Sequence, residues 1–260
     1  MKQAELTIAE NTLIAKNQVW KMVLRGDASG ITAPGQFINI ALPGHFLRRP
    51  ISVCDYTSDS ITILYKVAGE GTEDMTLLKA GAKLDVLVGL GNGFDVLKAK
   101  ESNHALLLGG GIGSAPMLAL TRRLVSEGVN VSAVLGFNTA DDVVLAEEMC
   151  DTGADVTVMT ADGSEQRLAG ANYGHGVVVE AEVIKQVNAA PGNAYYYACG
   201  PVKMLRSVYR AVKCDGELSF EERMGCGFGA CMGCTMHTAS GPKRVCKDGP
   251  IFPKSEILWD

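Results

Sequence analysis

The sequence has no dense run of basic residues. Its 24 lysines and arginines are outnumbered by 29 acidic residues, which leaves a formal net charge of -5. The closest basic pairs, Arg48-Arg49 and Arg122-Arg123, stand alone. Proteins that bind nucleic acid need clustered lysine and arginine, because these side chains replace the counterions of the phosphate backbone. The sequence therefore argues against a nucleic-acid partner.

Long hydrophobic runs are also missing. The longest apolar stretches, such as residues 105–108 and 177–179, have the length of a strand, whereas a membrane-spanning helix needs about 20 apolar residues. Residues 1–10 mix charged and apolar side chains and do not resemble a signal peptide. We therefore expect a cytoplasmic protein without a membrane segment.

The eight cysteines are unevenly distributed. Cys54, Cys150, Cys199 and Cys214 are scattered, while the other four lie close together near the end of the chain. Cys54, Cys150 and Cys214 are most simply explained as small buried hydrophobic residues. In a reducing compartment, a cluster of four cysteines indicates metal binding rather than disulfides.

The clustered cysteines follow the spacing C-x4-C-x2-C-x11-C. They are Cys226, Cys231, Cys234 and Cys246. Three thiolates on one glycine-rich loop, with a fourth from further along, form the plant-type arrangement of a [2Fe–2S] cluster. A zinc site is one alternative, although zinc usually takes paired C-x2-C steps and only one is present. A disulfide knot is the other.

Hydrophobic patterning divides the chain into three parts. Residues 1–99 predict an antiparallel β-barrel, because alternating strands are broken by Gly and Pro turns. The predicted barrel strands are 4–14, 18–24, 37–41 and 60–67, and a helix over 72–79 has Thr72 as its N-cap. Residues 100–215 alternate strand and helix, which predicts a doubly wound parallel sheet. Residues 216–260, rich in Gly and Cys, form a small cluster-binding segment.

The predicted elements of the second part place two turns at one edge of its sheet. Strands are expected over 105–108, 129–136, 155–160 and 195–199, and helices over 115–127, 141–149 and 201–213. A turn with Gly109, Gly110, Gly111 and Gly113 joins the first strand to its helix. Such a turn, at a helix N-terminus, suits the pyrophosphate of a dinucleotide.

The second turn is Cys199-Gly200-Pro201, at the end of a later strand, where open parallel sheets bind their ligands. The alternative is that both are ordinary strand–helix turns. The loop 137–142 contains two aspartates and no basic residue, so it would repel a 2′-phosphate. The expected dinucleotide is therefore NAD.

These motifs resemble those of the ferredoxin–NADP reductase superfamily. Arg49-Pro50-Ile51-Ser52 is similar to its Arg-x-Tyr/Phe-Ser flavin motif, with Ile51 at the usual aromatic position. Gly71-Thr72 falls where the superfamily binds the FAD diphosphate. Residues 109–116 and 199–201 resemble its nicotinamide motifs. With residues 89–94 and 222–227 included, nearly the whole chain resembles the electron-transfer subunits of class 1B dihydroorotate dehydrogenases.

The resemblance implies the cofactors FAD, a [2Fe–2S] cluster and exchangeable NAD. It implies that Arg49 pairs with FAD phosphate and that Ser52 bonds near flavin N5, with Cys199 near the site of hydride transfer. The other implied cofactor-binding residues are Pro50, Ile51, Leu64, Tyr65, Lys66, Gly71, Thr72, Gly109, Gly110, Gly111, Gly113, Gly200 and Pro201, and the implied cluster ligands are the four clustered cysteines.

The implied partner is an FMN-containing subunit that oxidises dihydroorotate in UMP biosynthesis, in a heterotetramer with two copies of each chain. Electrons would pass from FMN through the cluster and FAD to NAD⁺. One alternative is a related FAD/[2Fe–2S] subunit of a sulfide dehydrogenase or of an NAD(P)H:ferredoxin oxidoreductase. Another is a redox-sensing binding protein, which is disfavoured because the chain has no DNA-binding motif or basic face.

Overall fold

The computed structural model describes residues 1–165 and 168–259. Within them the chain forms a closed barrel, a larger open sheet and a two-stranded hairpin. No helix in this part of the chain is long and apolar enough to cross a membrane.

The N-terminal strands form the predicted antiparallel barrel. They close in the order β1-β2-β5-β4-β3-β6. Their bounds are β1 Lys2–Ala15, β2 Val19–Arg25, β3 Phe37–Ile40, β4 Arg49–Tyr56, β5 Ser60–Lys66 and β6 Lys83–Leu90. Side chains along each strand alternate between the barrel interior and its outer face. Ile38 and Ile40 are fully buried in the interior, so Phe37 and Asn39 face outward.

A short helix, α1 Glu70–Leu77, connects β5 to β6. The prediction that Thr72 is its N-cap was wrong, because the helix begins at Glu70 with Gly69 in the capping position. The Thr72 hydroxyl instead reaches back from the first turn and accepts hydrogen bonds from the N–H groups of Ala68 and Gly69, at 2.9 and 3.2 Å. A threonine within the first turn therefore satisfies donors that precede the helix.

The second sheet is the predicted doubly wound parallel sheet. Its strands lie in the order β10-β9-β8-β7-β11-β12-β15, and only β15, which is Ile251–Pro253, is antiparallel to its neighbour. The strands and helices are α2 Val96–Ser102, β7 His104–Gly110, α3 Ala115–Ser126, β8 Asn130–Phe137, α4 Ala146–Cys150, β9 Asp155–Thr160, β10 Ala171–His175, α5 Glu182–Ala189, β11 Tyr195–Cys199, α6 Val202–Ala211 and β12 Gly216–Ser219.

One predicted helix of this region is shorter than expected. The sequence predicted a helix over 141–149, but α4 begins only at Ala146, and Ala140–Asp142 forms a separate single turn. Leu145 has a left-handed backbone with φ 65°, which a continuous right-handed helix does not permit. The interruption lets Val144 and Leu145 enter the core between the sheet and the barrel.

The C-terminal residues are built into the second sheet rather than lying beside it. They supply β12 and also β13 Thr235–Thr238, β14 Gly241–Arg244, α7 Val245–Asp248 and β15 Ile251–Pro253. β13 pairs with β14 as a hairpin, while β15 joins β12 at the sheet edge. Cys234 and Cys246 lie in the same hydrophobic core as Phe37 and Phe252. This packing attaches the cysteine loop to both larger parts of the protein.

Candidate functional site

The flavin-motif strand β4 presents its side chains to two environments. Ile51 packs against the barrel interior, where Val53 is also buried. Ser52 has the opposite orientation, like Cys54, which lies in the core between the barrel and the nucleotide sheet. Ser52, rather than Ile51, therefore faces away from the barrel interior.

The predicted FAD diphosphate residues meet at the N-terminus of α1. The Arg49 guanidinium lies directly against Gly71, where a Cβ atom would overlap it. Arg49 donates to the Leu47 carbonyl at 2.6 Å and approaches His45 Nδ1 at 2.8 Å, while His45 Nε2 lies 2.7 Å from Asp74. A guanidinium beside a helix N-terminus combines two favourable features for a diphosphate, so these residues fit that part of FAD.

The predicted residues of β5 are divided between the two barrel faces. The Tyr65 side chain is 1% exposed, lies in the barrel interior and donates to Asn11 Oδ1 at 2.8 Å. The Tyr65 side chain therefore does not face the outer side of the barrel. Leu64 packs in the core between the two sheets, and Lys66 is exposed. The turn Gly111–Ser114 contacts β5 from the nucleotide sheet, so the glycine-rich turn and this strand of the barrel are neighbours.

The two nicotinamide motifs are in direct contact. They end adjacent parallel strands, since Cys199 of β11 pairs with Gly109 of β7. A Cβ atom at Gly113 would lie 2.5 Å from the Cys199 carbonyl oxygen, and one at Gly110 would overlap Met204 of α6. The sheet order reverses between these two strands, which is the position where open α/β sheets bind ligands.

Two polar groups of the nicotinamide motifs affect the chemistry of the site, the Ser114 hydroxyl and the Cys199 thiol. The Ser114 hydroxyl is fully buried and has no hydrogen-bond partner among the described residues, so the glycine-rich turn retains an unused donor. Burial raises the pKa of the Cys199 thiol to about 12, against the opposing effect of a hydrogen bond with Ser219. Cys199 is therefore a neutral thiol at physiological pH and not a thiolate nucleophile.

The four clustered cysteines come together as two pairs. The Cys226 N–H group donates to Cys231 Sγ at 3.5 Å, and the Cys246 N–H group donates to Cys234 Sγ at 3.4 Å. Among the described residues no three metal-binding side chains converge on a single ion position. Two pairs are what a two-iron cluster needs, because each iron takes two thiolates and shares bridging sulfides.

Backbone amides already stabilise negative sulfur in this loop. Ala230 N donates to Cys226 Sγ at 3.2 Å, and Cys246 N donates to Cys234 Sγ at 3.4 Å. Burial raises the pKa of Cys226, but the N–H groups of Cys231, Phe228 and Ala230 outweigh it and lower the pKa to about 6. Burial and the Cys234 thiol raise the pKa of Cys246 to about 12. Cluster binding would thus release a proton from Cys246.

Sequence reasoning missed two residues beside the cluster loop. Arg244 bonds to Asp248 through its Nε and Nη2 atoms, at 2.9 and 3.1 Å, and to the Gly229 carbonyl at 2.8 Å. Asn39 of β3 approaches the Cys226 carbonyl at 3.4 Å. Neither position carries a sequence signal, because each contact joins segments whose relative placement only the fold decides.

Comparison with known proteins agrees with this arrangement. Residues 221–258 match the iron–sulfur cluster binding domain of dihydroorotate dehydrogenase B, and residues 107–210 match the oxidoreductase NAD-binding domain. The chain is 39% identical over 267 residues to the dihydroorotate dehydrogenase B (NAD(+)) electron transfer subunit of Fusobacterium nucleatum, and 38% identical over 268 residues to that of Bacillus velezensis, with 99% of each protein covered.

A solved structure of an NADH-dependent reduced ferredoxin-NADP oxidoreductase, described in the context of flavin-based electron bifurcation, has the same fold. Its TM-score is 0.82 at 28% identity, covering 98% of this chain and 90% of that one. A ferredoxin NADP⁺ reductase from Neisseria gonorrhoeae shares the fold at 14% identity, with a TM-score of 0.65 over 81% of this chain and 90% of that one.

The fold and site define a flavin-dependent, pyridine-nucleotide-linked iron–sulfur oxidoreductase of the ferredoxin–NADP reductase-like class. Within that class, the chain belongs to the family of dihydroorotate dehydrogenase B (NAD(+)) electron transfer subunits. Membership confirms the cofactors predicted from sequence, which are FAD, a [2Fe–2S] cluster and NAD, and it confirms the predicted electron-transfer role.

Proposed function

We propose that this chain carries electrons between NAD and the FMN of a dihydroorotate dehydrogenase catalytic subunit, in a cytoplasmic heterotetramer that serves UMP biosynthesis. The proposal depends on one observation: a loop with three of the four clustered cysteines lies against α7, which carries the fourth, and contacts β3, the strand paired with the flavin-motif strand β4. Full-length similarity to electron transfer subunits of this enzyme supports it.

The proposed cofactor sites follow the three parts of the chain. Residues 1–99 hold FAD, residues 100–215 hold NAD and residues 216–260 hold the cluster. When bound, FAD links the two-electron chemistry of nicotinamide to the one-electron chemistry of an iron–sulfur cluster. The remaining functions belong to the protein, which orients these groups and excludes water from the cleft between them.

The barrel residues bind and orient FAD. Arg49 and the first turn of α1, with Gly71 and Thr72, hold the diphosphate by charge and by N–H donors. Ser52 faces outward from β4 and hydrogen-bonds near the reactive edge of the flavin. Pro50, Ile51, Leu64, Tyr65 and Lys66 support the site, Ile51 through the barrel core and Tyr65 through its hydrogen bond to Asn11 in the barrel interior.

The nucleotide-sheet residues bind NAD and position its nicotinamide. Gly109, Gly110, Gly111 and Gly113 let the dinucleotide approach the backbone at the start of α3. Cys199, Gly200 and Pro201 border the place where the hydride is exchanged. The Cys199 thiol is neutral, so it adds a small, uncharged side chain to that place.

Cys231→Ser in the assembled complex tests this function. Dihydroorotate oxidation by NAD⁺ should be abolished, because the cluster loses one of its ligands. NADH oxidation by artificial acceptors that take electrons from the flavin should survive. Cys150→Ser, which changes a cysteine of α4 outside the cluster loop, is the matched control and should retain both activities. Equal loss of both activities in Cys231→Ser, with FAD still bound, would contradict the proposed order of carriers.

A second candidate is an NAD(P)H:ferredoxin oxidoreductase subunit, which the similarity to the NADH-dependent reduced ferredoxin-NADP oxidoreductase favours. The loop 137–142 carries Asp141 and Asp142, and Asp141 pairs with Lys16 at 2.9 Å. These carboxylates disfavour a 2′-phosphate. Rapid reduction of the bound flavin by NADPH, together with failure to form a complex with an FMN-containing subunit, would support this candidate instead.

A further inference from the structure

We propose that Asn39 is a positioning residue that sets the electron-transfer distance between the flavin and the iron–sulfur cluster. The inference rests on the proposed function, since it needs both cofactors at their proposed sites. Asn39 lies in β3, between β4 and β6, and pairs directly with Pro50 of the flavin motif.

Asn39 shares a barrel face with the flavin-motif serine. Its neighbours Ile38 and Ile40 point into the barrel and are fully buried. Asn39 therefore points outward, as do Phe37 and its cross-strand partner Ser52. The outward face of β3 and β4 thus carries Asn39 and Ser52 one strand apart.

From this face Asn39 reaches the cluster loop. Its Nδ2 atom lies 3.4 Å from the carbonyl oxygen of Cys226, the first of the four clustered cysteines. The next residue, Gly227, has a left-handed φ of 78°, and a Cβ atom there would overlap the Asn39 amide. A glycine is thus required for the loop to come this close to the flavin-motif face.

The other half of the Asn39 carboxamide is unused. Asn39 is 1% exposed, yet its Oδ1 atom has no hydrogen-bond partner among the described residues. Buried polar atoms are usually paired, and an apolar side chain of the same size would fill this space without that defect. This unpaired acceptor lies where β3 meets the cluster loop, beside the flavin-motif strand β4.

The position of Asn39 affects the rate of one-electron transfer between the flavin and the cluster. Electrons pass between the flavin and the cluster one at a time, towards FAD in the proposed direction and towards the cluster when NADH has reduced the flavin, and the proton that accompanies the two-electron chemistry of FAD is exchanged with water. The rate of such a transfer falls steeply with the separation of the two groups, so a contact that holds Cys226 against the flavin-motif face controls it. Residues that orient metal ligands typically affect activity by about 10–100-fold when they are changed.

Asn39→Leu and Asn39→Asp, in the full chain loaded with FAD and cluster, test the proposal. Asn92→Leu is the matched control, because Asn92 also joins the barrel side to the C-terminal residues. It bonds both polar atoms of Ile251, at 2.8 and 3.2 Å. After anaerobic mixing with NADH, flavin reduction is followed by absorbance and cluster reduction by rapid-freeze paramagnetic resonance. The cluster potential is measured by titration.

In Asn39→Leu, we expect normal flavin reduction but cluster reduction slowed about tenfold or more, whereas Asn92→Leu keeps the wild-type ratio. In Asn39→Asp, a carboxylate beside the cluster should lower its reduction potential, because negative charge favours the oxidised form. Wild-type rates and potential in both Asn39 variants, with full iron and FAD, would overturn the proposal.

Loss of iron from Asn39→Leu leaves the decision to Asn39→Asp, which keeps the shape of the side chain. An unchanged potential and rate in that variant would likewise overturn the proposal. A wild-type chain that binds no cluster, or whose flavin NADH does not reduce, would instead refute the proposed function.

Discussion

The Arg244 Nη1 atom donates a hydrogen bond of 2.8 Å to the carbonyl oxygen of Gly229, in the middle of the cysteine loop. The rest of the guanidinium binds Asp248 in α7, the helix that carries Cys246. One side chain thus joins the loop of the first three cysteines to the helix of the fourth. The Asp248 carboxylate is held ionised, since its hydrogen bonds with Arg244 lower its pKa to about 2.

Arg244→Met should therefore release the loop and weaken cluster retention. The change removes the charge-assisted hydrogen bonds that join the cysteine loop to α7, so this segment becomes less stable. The measurement is iron and acid-labile sulfide per chain after anaerobic purification. Arg223→Met, an exposed arginine upstream of Cys226, is the control. Equal iron content in the two variants would contradict the role assigned to Arg244.

Gly71→Ala should reduce FAD binding without unfolding the barrel. The added methyl group displaces the Arg49 guanidinium from the N-terminus of α1, while alanine in a helix stabilises the chain by about 1 kcal/mol relative to glycine. Gly69→Ala, two residues earlier, places its Cβ atom in open space. The amount of FAD bound per chain measures the effect on FAD binding, and the thermal midpoint of the apoprotein measures the effect on stability. Full FAD occupancy in Gly71→Ala would show that Arg49 is not needed at that place.

Gly113→Ala should weaken NAD binding and leave FAD in place. A Cβ atom 2.5 Å from the Cys199 carbonyl forces the two nicotinamide turns apart, and overpacking of this kind costs about 1–3 kcal/mol. The dissociation constant for NAD⁺ should rise about tenfold or more. Gly192→Ala, where no atom lies within 4 Å of the new Cβ, is the control. The nicotinamide assignment would be refuted if both variants bound NAD⁺ equally.

Glu217 makes stability depend on pH. This carboxyl group is 7% exposed, accepts a hydrogen bond of 2.9 Å from Asp95 N and lines a cavity of about 490 Å³. Burial raises its pKa from 4.5 to about 7. Between these values the folded chain holds a proton that the unfolded chain has lost. The stabilising effect of the raised pKa is fully present below about pH 4.5. It is lost as the pH rises through about 7, and the total loss is roughly 3 kcal/mol of the free energy of unfolding.

Glu217→Gln tests this linkage, because glutamine keeps the acceptor for Asp95 N and cannot ionise. Its urea midpoint should be close to that of the wild type near pH 5 and higher near pH 8, beyond the raised pKa. Glu101→Gln changes an exposed carboxylate at the same cavity and should shift neither comparison. Parallel pH profiles for wild type and Glu217→Gln would mean that the pKa of Glu217 is the same in the folded and unfolded chains, which would refute the linkage.

Local patterns predicted much of the fold. Period-two alternation indicated the barrel, and the alternation of strands and helices indicated the parallel sheet. Each of these signals is contained in neighbouring residues. The errors came where tertiary contacts override such patterns. Thr72 acts from inside the first turn of α1, and the left-handed Leu145 delays α4 until Ala146.

Local sequence patterns predicted only part of the candidate site. The cysteine spacing and the glycine-rich turn identified candidate site residues directly, because both motifs are short. The sequence did not show that the side chains of β5 face opposite sides of the barrel wall. Only the closed barrel turns Tyr65 inward and leaves Leu64 outside. Arg244 and Asn39 carry no motif, and their importance follows from what they touch.

The amino-acid sequence by itself determined the kinds of group available: a set of four thiols, two glycine-rich nucleotide turns and an arginine–serine flavin strand. Their spacing along the chain was sufficient because each motif spans few residues. Only the tertiary structure decided which motifs meet. Asn39 contacts Cys226 across 187 positions of sequence, and barrel closure and sheet packing bring the two together, because burial of the shared apolar core outweighs the entropy of closing so long a loop.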